Sequence, residues 1–91
     1  MTISNNVIYP LQNERTSITY ELDRSGMVTA QVFTLDGNLV QVLHRGRQAA
    51  GQYVFHWDGT NMSGQVVARG LYFIRVVGPD IDEIRKVLVV K

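Results

Sequence analysis

The sequence contains no cysteine, and this absence excludes disulfides, zinc–thiolate sites and thiol catalysis. Long apolar runs are also missing, because no segment approaches the roughly 18 apolar residues that a membrane-spanning helix needs. No stretch of ten residues shows an apolar period of 3.6, which argues against amphipathic helices. The first six residues lack the basic and apolar regions of a signal peptide. If the parent protein is exported, we expect its signal to lie upstream.

An excess of one charge is absent as well. Nine Lys and Arg residues balance eight Asp and Glu residues, giving a net charge of +1. The densest basic segment, His44–Arg47, is too small for a nucleic-acid-binding stripe. We therefore expect no nucleic-acid partner and no membrane insertion.

Glycine and β-branched residues dominate what is present. Eight glycines punctuate the chain every five to eleven residues from Gly26 onward, and short runs rich in Val, Ile, Tyr, Phe and Thr lie between them. Many short strands with regular turn signals indicate a β-sandwich. We predict one domain over residues 1–91: an all-β, immunoglobulin- or fibronectin-III-like antiparallel sandwich of about seven strands. Residues 1–15 are predicted to form a loosely ordered lead-in and the first edge strand.

Apolar alternation places the main strands. They are predicted at Ser17–Asp23, Met27–Leu35, Asn38–His44, Gln52–Trp57, Leu71–Val77 and Ile84–Val90, with a brief edge strand at Val66–Val67. Val40 and Leu43 break the alternation of their strand, which predicts a bulge there. The last two strands are nearly continuous apolar runs, so we expect both to be central and partly covered on both faces.

The strand Gln52–Trp57 should anchor the core, because Tyr53, Phe55 and Trp57 share one face and large rings bury much apolar area. Tyr72 begins the penultimate strand, where a tyrosine corner would lie. The complete predicted core is Ile18, Tyr20, Leu22, Val28, Ala30, Val32, Val40, Leu43, Tyr53, Phe55, Trp57, Tyr72, Ile74, Val76, Val87 and Val89.

Several spaced segments together form a recognisable layout. They are Thr16–Leu22, Gly26–Phe33 followed by Gly37, the apolar pair Val40 and Leu43, Ala50–Gly51 leading to Trp57–Gly59, Gly64–Gln65, Gly70–Phe73 and Arg85–Lys91. This layout resembles the FlgD-type immunoglobulin-like domain family, named after the flagellar hook-capping protein, and the C-terminal secretion-sorting modules of bacterial surface proteins. Such modules commonly open with Pro-Asn-Pro-Phe-Asn. Here the corresponding segment, Tyr9–Asn13, keeps only the proline and a following apolar residue.

The resemblance implies a function without catalysis. It predicts an accessory module of a larger exported bacterial protein, at the cell surface or outside the cell, used for sorting, surface attachment or spacing. Its partner would be a secretion or surface-assembly protein, or neighbouring domains of the same chain. Two alternatives stay open: a structural domain of a flagellar hook-capping scaffold, and a carbohydrate-binding module in which Trp57 stacks on sugars.

The chemistry-bearing residues favour structural roles. We interpret Trp57, Asp58, Gly59, Gly70, Tyr72 and Lys86 as a structural motif. Residues 58–64 do not fit a calcium loop, because its fifth and twelfth positions would be Met62 and Arg69. Asp80, Asp82 and Glu83 are interpreted as a solvated hairpin turn, and His44 and His56 lie in no nucleophile motif. We predict no catalytic residue, no metal site and no cofactor.

Overall fold

The computed structural model describes all 91 residues, and its strands form two packed β-sheets. In chain order the elements are β1 (Thr2–Ser4), β2 (Val7–Ile8), a 3-10 turn (Pro10–Gln12), β3 (Thr16–Leu22), β4 (Gly26–Thr34), β5 (Leu39–Gln48), β6 (Gly51–Trp57), β7 (Gly70–Gly78) and β8 (Ile81–Val89). The structure contains no helix with the length and apolarity needed to cross a bilayer.

A three-stranded sheet faces a five-stranded one. The small sheet has the order β1-β3-β6 and the large sheet the order β2-β8-β7-β4-β5. Every pairing is antiparallel except that between β2 and β8. The predicted all-β, immunoglobulin-like sandwich is confirmed. The structure has eight strands where about seven were predicted: the segment before Thr16 contributes two short strands, and Val66–Val67 contributes none.

Alternation along the strands builds the core between the sheets. Thirteen of the sixteen predicted core residues are buried: Ile18, Tyr20, Leu22, Val28, Ala30, Val32, Val40, Trp57, Tyr72, Ile74, Val76, Val87 and Val89. The other three, Leu43, Tyr53 and Phe55, are only partly buried against that core. Their full burial was predicted wrongly, because β5 and β6 are edge strands of their sheets. The two edges lie on the same side of the sandwich, where His44 of β5 stacks on Phe55 of β6.

The predicted irregularity in the third main strand is confirmed. The register between β4 and β5 shifts twice, and the two residues of β5 left without a partner opposite are Leu43 and Val40. Each shift inserts an extra residue into β5. The extra residue bends this strand and changes the direction of its side chains. Val40 is buried by this means, although it lies out of phase with the rest of its strand.

The prediction for the last two strands is correct in position and wrong in burial. Both β7 and β8 lie inside the large sheet, but nothing covers its outer face. Three outward-facing side chains, Leu71, Ile84 and Leu88, are 38%, 52% and 41% exposed. A continuous apolar run is ordinarily typical of a strand covered on both faces, but here these aliphatic side chains share an exposed face with Arg75, Asp82 and Lys86.

The first fifteen residues contribute to both sheets. Strand β1 pairs with β3, and β2 pairs with β8. Ile8 and Pro10 are buried, and Ile8 is fully inaccessible. The loose order predicted for this segment remains a prediction. The brief strand expected at Val66–Val67 is reduced to a single bridge between Thr60 and Val66.

Candidate functional site

Trp57 ends β6 and packs in the interior. Only 2% of it is exposed, and its ring lies 5.5 Å from that of Tyr72 at a tilt of 58°. Its indole Nε1 donates a hydrogen bond of 2.8 Å to the carbonyl oxygen of Thr60. Because the ring is enclosed and its one donor is satisfied, Trp57 offers no free face on which a sugar could stack.

The loop after Trp57 is organised by two side chains that accept hydrogen bonds from other residues of the same loop. The Asp58 carboxylate accepts hydrogen bonds from the Thr60 backbone N–H at 3.2 Å and from the Thr60 hydroxyl at 2.6 Å. The Asn61 side-chain oxygen accepts the backbone N–H groups of Ser63 and Gln65, both at 3.0 Å. These are the local turns that Asp and Asn favour. The polar atoms that resemble a binding loop therefore hold the loop itself in shape.

Gly59 is the tightest point of this loop. Its φ angle is +81°, and a Cβ added there would lie 2.5 Å from Cγ of Pro10. Its carbonyl oxygen also accepts the Val67 backbone N–H at 2.9 Å. The sequence indicated a turn at Gly59 but not its contact with Pro10, because the two residues lie far apart in the chain.

Tyr72 ties the other end of the loop to β7. Its hydroxyl donates a hydrogen bond of 2.7 Å to the carbonyl oxygen of Ala68, four residues upstream, which is the geometry of a tyrosine corner. Burial raises the pKa of the Tyr72 phenol above its ordinary value. Gly70 begins the same strand, two residues before this tyrosine.

Lys86 is separate from this cluster. It is exposed on β8, and its strand partner on β7 is Phe73. None of the three ion pairs in the structure includes it. The structure therefore brings Trp57, Asp58, Gly59 and Tyr72 together around one loop, while Lys86 belongs to the outer face of the large sheet.

An open groove of about 480 Å³ runs between this loop and the β4–β5 turn. The side chains of Leu39, Met62, Val66 and Tyr72 contribute to its wall, and no charged residue lines it. Its polar lining consists of uncharged groups, among them those of Thr34, Asn61 and Ser63.

A serine–histidine contact is present that the sequence reasoning missed. The Ser17 hydroxyl lies 2.7 Å from Nδ1 of His56 on adjacent strands. An activated nucleophile also requires an acid that orients the histidine and donors for the oxyanion. No carboxylate is hydrogen-bonded to His56, and the pair is exposed. His44 instead stacks on Phe55 with ring centroids 5.3 Å apart.

The three acidic residues of the last hairpin have different partners, and Glu83 accepts hydrogen bonds from the N-terminal amine of Met1 and from Arg85. Asp80 accepts the backbone N–H of Asp23. Arg75 donates two hydrogen bonds of 2.9 Å to Asp82, and this contact lowers the pKa of that carboxyl group. The structure contains no group of three or more His, Asp or Glu side chains arranged to hold a metal ion.

Comparison with known proteins places this geometry in a family. No curated protein sequence matches the chain. Among solved structures, FlgD from P. aeruginosa has a TM-score of 0.66 and 24% sequence identity, over 92% of this chain and 65% of that one. PorZ, a bacterial surface component of the type-IX secretion system of Porphyromonas gingivalis, has a TM-score of 0.62 and 16% identity. That match covers 99% of this chain and 11% of PorZ.

Both structural matches show the same sandwich fold within a longer chain, since this chain spans only 65% and 11% of their lengths. The family assignment comes from the sequence itself. A profile of the FlgD Ig-like domain matches residues 4–80, which run from β1 to the turn between β7 and β8. The chain belongs to the FlgD Ig-like domain family.

Proposed function

We propose that this domain is a non-catalytic accessory module of a larger exported bacterial protein, serving in sorting, surface attachment or spacing. One observation carries the proposal: the polar groups of its most distinctive loop are used within the domain. The Trp57 indole and the Asp58 and Asn61 side chains all bind backbone or side-chain atoms of residues 60–65. A loop built in this way holds a rigid shape for protein contacts.

The comparisons support the exported setting. Residues 4–80 match the FlgD Ig-like domain, and PorZ, which shares the fold, is described as an essential bacterial surface component of a secretion system. The protein partner would be a secretion or surface-assembly component, or a neighbouring domain of the same chain. The outer face of the large sheet exposes Leu71, Ile84 and Leu88 beside charged side chains, and this mixture is suited to such a contact.

The experiment removes the module from its parent in the native bacterium. We expect a parent protein that lacks residues 4–91 to be stable but lost from the cell-surface fraction, with the activity of its remaining part unchanged in extracts. A second strain carries an unrelated immunoglobulin-like sandwich of equal size in place of the module. Recovery by this replacement would assign the role to spacing, and no recovery would assign it to sorting or attachment. If the truncated parent is localised and functions like the wild type, the proposal is overturned.

A flagellar assembly scaffold is the second candidate, because the family profile and one solved structure both belong to FlgD. The hook-capping domain often carries an inserted small β domain, and here the strands follow one another without such an insertion. The same deletion strain separates the two candidates. Loss of hooks and of swimming would favour the scaffold, whereas loss of the parent from the surface of a cell with intact hooks would favour the accessory module.

A further inference from the structure

The edge of β6 differs from the other three sheet edges. Strand β6 pairs with β3 on one side only, through seven consecutive residues in unbroken register, from Gly51 to Trp57. It contains no proline, no charged residue and no bulge. An edge of this kind presents unpaired N–H and C=O groups to another strand.

The remaining edges carry the protections that open sheets ordinarily have. Strand β1 has three residues and β2 has two, and short edges are poor templates for pairing. Strand β5 is long, but its register shifts twice, and it carries Arg45 and Arg47. Bulges and charges discourage edge-to-edge pairing. Among the four edges, only that of β6 is both long and unprotected.

The core is also incomplete on this side. Tyr53 and Phe55 follow the alternation of core residues along β6, and Leu43 lies at a bulge of β5; all three are only partly buried. Phe55 stacks on Tyr20 of β3 and on His44 of β5, so it bridges the two sheets at the rim of the sandwich. A strand added beside β6 would cover these rings.

The chemistry of the edge defines what fits it. The added strand must be extended and uncharged, with aromatic or aliphatic side chains toward the large sheet and neutral side chains toward solvent. Strand β6 itself has this pattern, with Tyr53, Phe55 and Trp57 facing inward and Gln52, Val54 and His56 facing outward. Two uncharged copies meet without like-charge repulsion, and a two-fold axis makes the contact self-complementary.

We propose that β6 is a homodimerisation edge, on which β6 of a second copy pairs antiparallel about a two-fold axis near Val54, its middle residue. This register places Tyr53 of one copy opposite Phe55 of the other on the inner face, since the positions opposite each other are symmetric about Val54. The two small sheets become one continuous six-stranded sheet. The proposal concerns the isolated domain and does not depend on the function proposed above.

Sedimentation velocity of the 91-residue chain over about a hundred-fold range of concentration tests the proposal. We expect reversible dimers in the wild type. In Val54→Lys the dimer association constant should be at least about ten-fold lower, because a charge at the edge opposes strand pairing. Ile84→Lys is the matched control, since Ile84 is 52% exposed and Val54 is 53% exposed. Ile84 lies on the outer face of the large sheet, which is the competing site of association, so this variant should dimerise like the wild type.

Cross-linking provides a readout if Val54→Lys fails to fold. The chain has no cysteine, so Val54→Cys introduces a single thiol that should form an intermolecular disulfide under mild oxidation, while Ile84→Cys should not. A wild type that stays monomeric at the highest concentration overturns the proposal. So does an association that Ile84→Lys abolishes and Val54→Lys leaves intact, or equal cross-linking of the two cysteine variants.

Discussion

Pro10 and Gly59 meet so closely that no side chain fits between them. A Cβ on Gly59 would lie 2.5 Å from Cγ and 3.0 Å from Cβ of Pro10. Pro10 begins the 3-10 turn before β3, and Gly59 lies in the loop after β6. Both residues are buried. This contact joins the opening segment of the chain to the Trp57 loop and fixes how close the two approach.

Replacing Gly59 with alanine should therefore lower the free energy of unfolding by more than the cost of a positive φ angle alone. A positive φ costs a residue with a side chain about 1–2 kcal/mol, and overpacking adds about 1–3 kcal/mol. Gly64 is the matched control, because its φ is +79° and no atom would lie within 4 Å of its Cβ. Urea unfolding should show that Gly59→Ala lowers the free energy of unfolding more than Gly64→Ala does. Equal losses in the two variants would show that Pro10 imposes no constraint.

Trp57→Ala should destabilise the domain by about 3–5 kcal/mol, because it removes a buried ring and leaves a cavity. Small domains have little more stability than this in total. Trp57→Phe keeps most of the volume and loses the hydrogen bond to Thr60, so it should cost less. The fraction of folded protein followed by far-ultraviolet circular dichroism in urea measures both variants. Wild-type stability in Trp57→Ala would contradict the structure of this site.

The sequence predicted the fold well because alternation reports on the inner faces of strands. It did not indicate which strands would be outermost, since strand order depends on contacts between distant segments. Tyr53 and Phe55 have the pattern of core residues, yet β6 is an edge strand and leaves them partly exposed. The burial predicted from the apolar runs in β7 and β8 was wrong for a related reason. Such runs predict that both faces of a strand are covered, but no part of the chain covers the outer face of these two strands.

The same distinction applies to the candidate site: its local contacts could be predicted from the sequence, and its contacts between distant segments could not. Local turn chemistry made the loop after Trp57 predictable, because Asp58 and Asn61 act within a few residues of themselves. The contributions of Ile8 and Pro10 were missed, because β2 has only two residues and its partner β8 lies at the other end of the chain. The buried hydrogen bond of 2.6 Å from the Tyr20 hydroxyl to Gln48 was missed because the two residues lie far apart in the sequence, on β3 and β5.

Ile8→Ala should show that the opening segment is part of the folded domain. Ile8 is completely inaccessible to solvent, so its truncation should cost about 2–5 kcal/mol. Val7→Ala is the control, because Val7 is its neighbour in β2 and is exposed; it should cost much less. The two free energies of unfolding are compared in urea. If Ile8→Ala is as stable as Val7→Ala, the lead-in is loosely ordered in solution.

Tyr72→Phe should alter stability in a pH-dependent way. At neutral pH it loses the hydrogen bond to Ala68, which should cost about 1 kcal/mol. Burial raises the pKa of the Tyr72 phenol, so the folded state holds its proton above the unfolded pKa of about 10. The associated stability is present below that pH and is lost as the pH rises through the folded pKa. The wild type should therefore lose more stability than Tyr72→Phe between about pH 8 and about pH 11. Equal alkaline losses would contradict this role.

The Arg75–Asp82 pair should depress one carboxyl pKa without contributing much to stability. Two hydrogen bonds of 2.9 Å join the guanidinium to the carboxylate across the β7–β8 pair. The hydrogen bonding from Arg75 lowers the pKa of Asp82. The folded state thus favours the ionised carboxylate, and the resulting stability is present above the unfolded pKa of about 3.9 and is lost as the pH falls through the lower folded value.

A carbon-detected NMR titration of the Asp82 carboxyl group measures this shift directly. In Arg75→Gln the pKa of Asp82 should rise toward the ordinary range, because the charged donor is gone. The free energy of unfolding at neutral pH should change little, since both side chains are well exposed and exposed ion pairs contribute little. An Asp82 pKa that does not move in Arg75→Gln would show that the pair is not formed in solution. A large loss of stability in the same variant would mean that Arg75 contributes through packing on the outer face of β7.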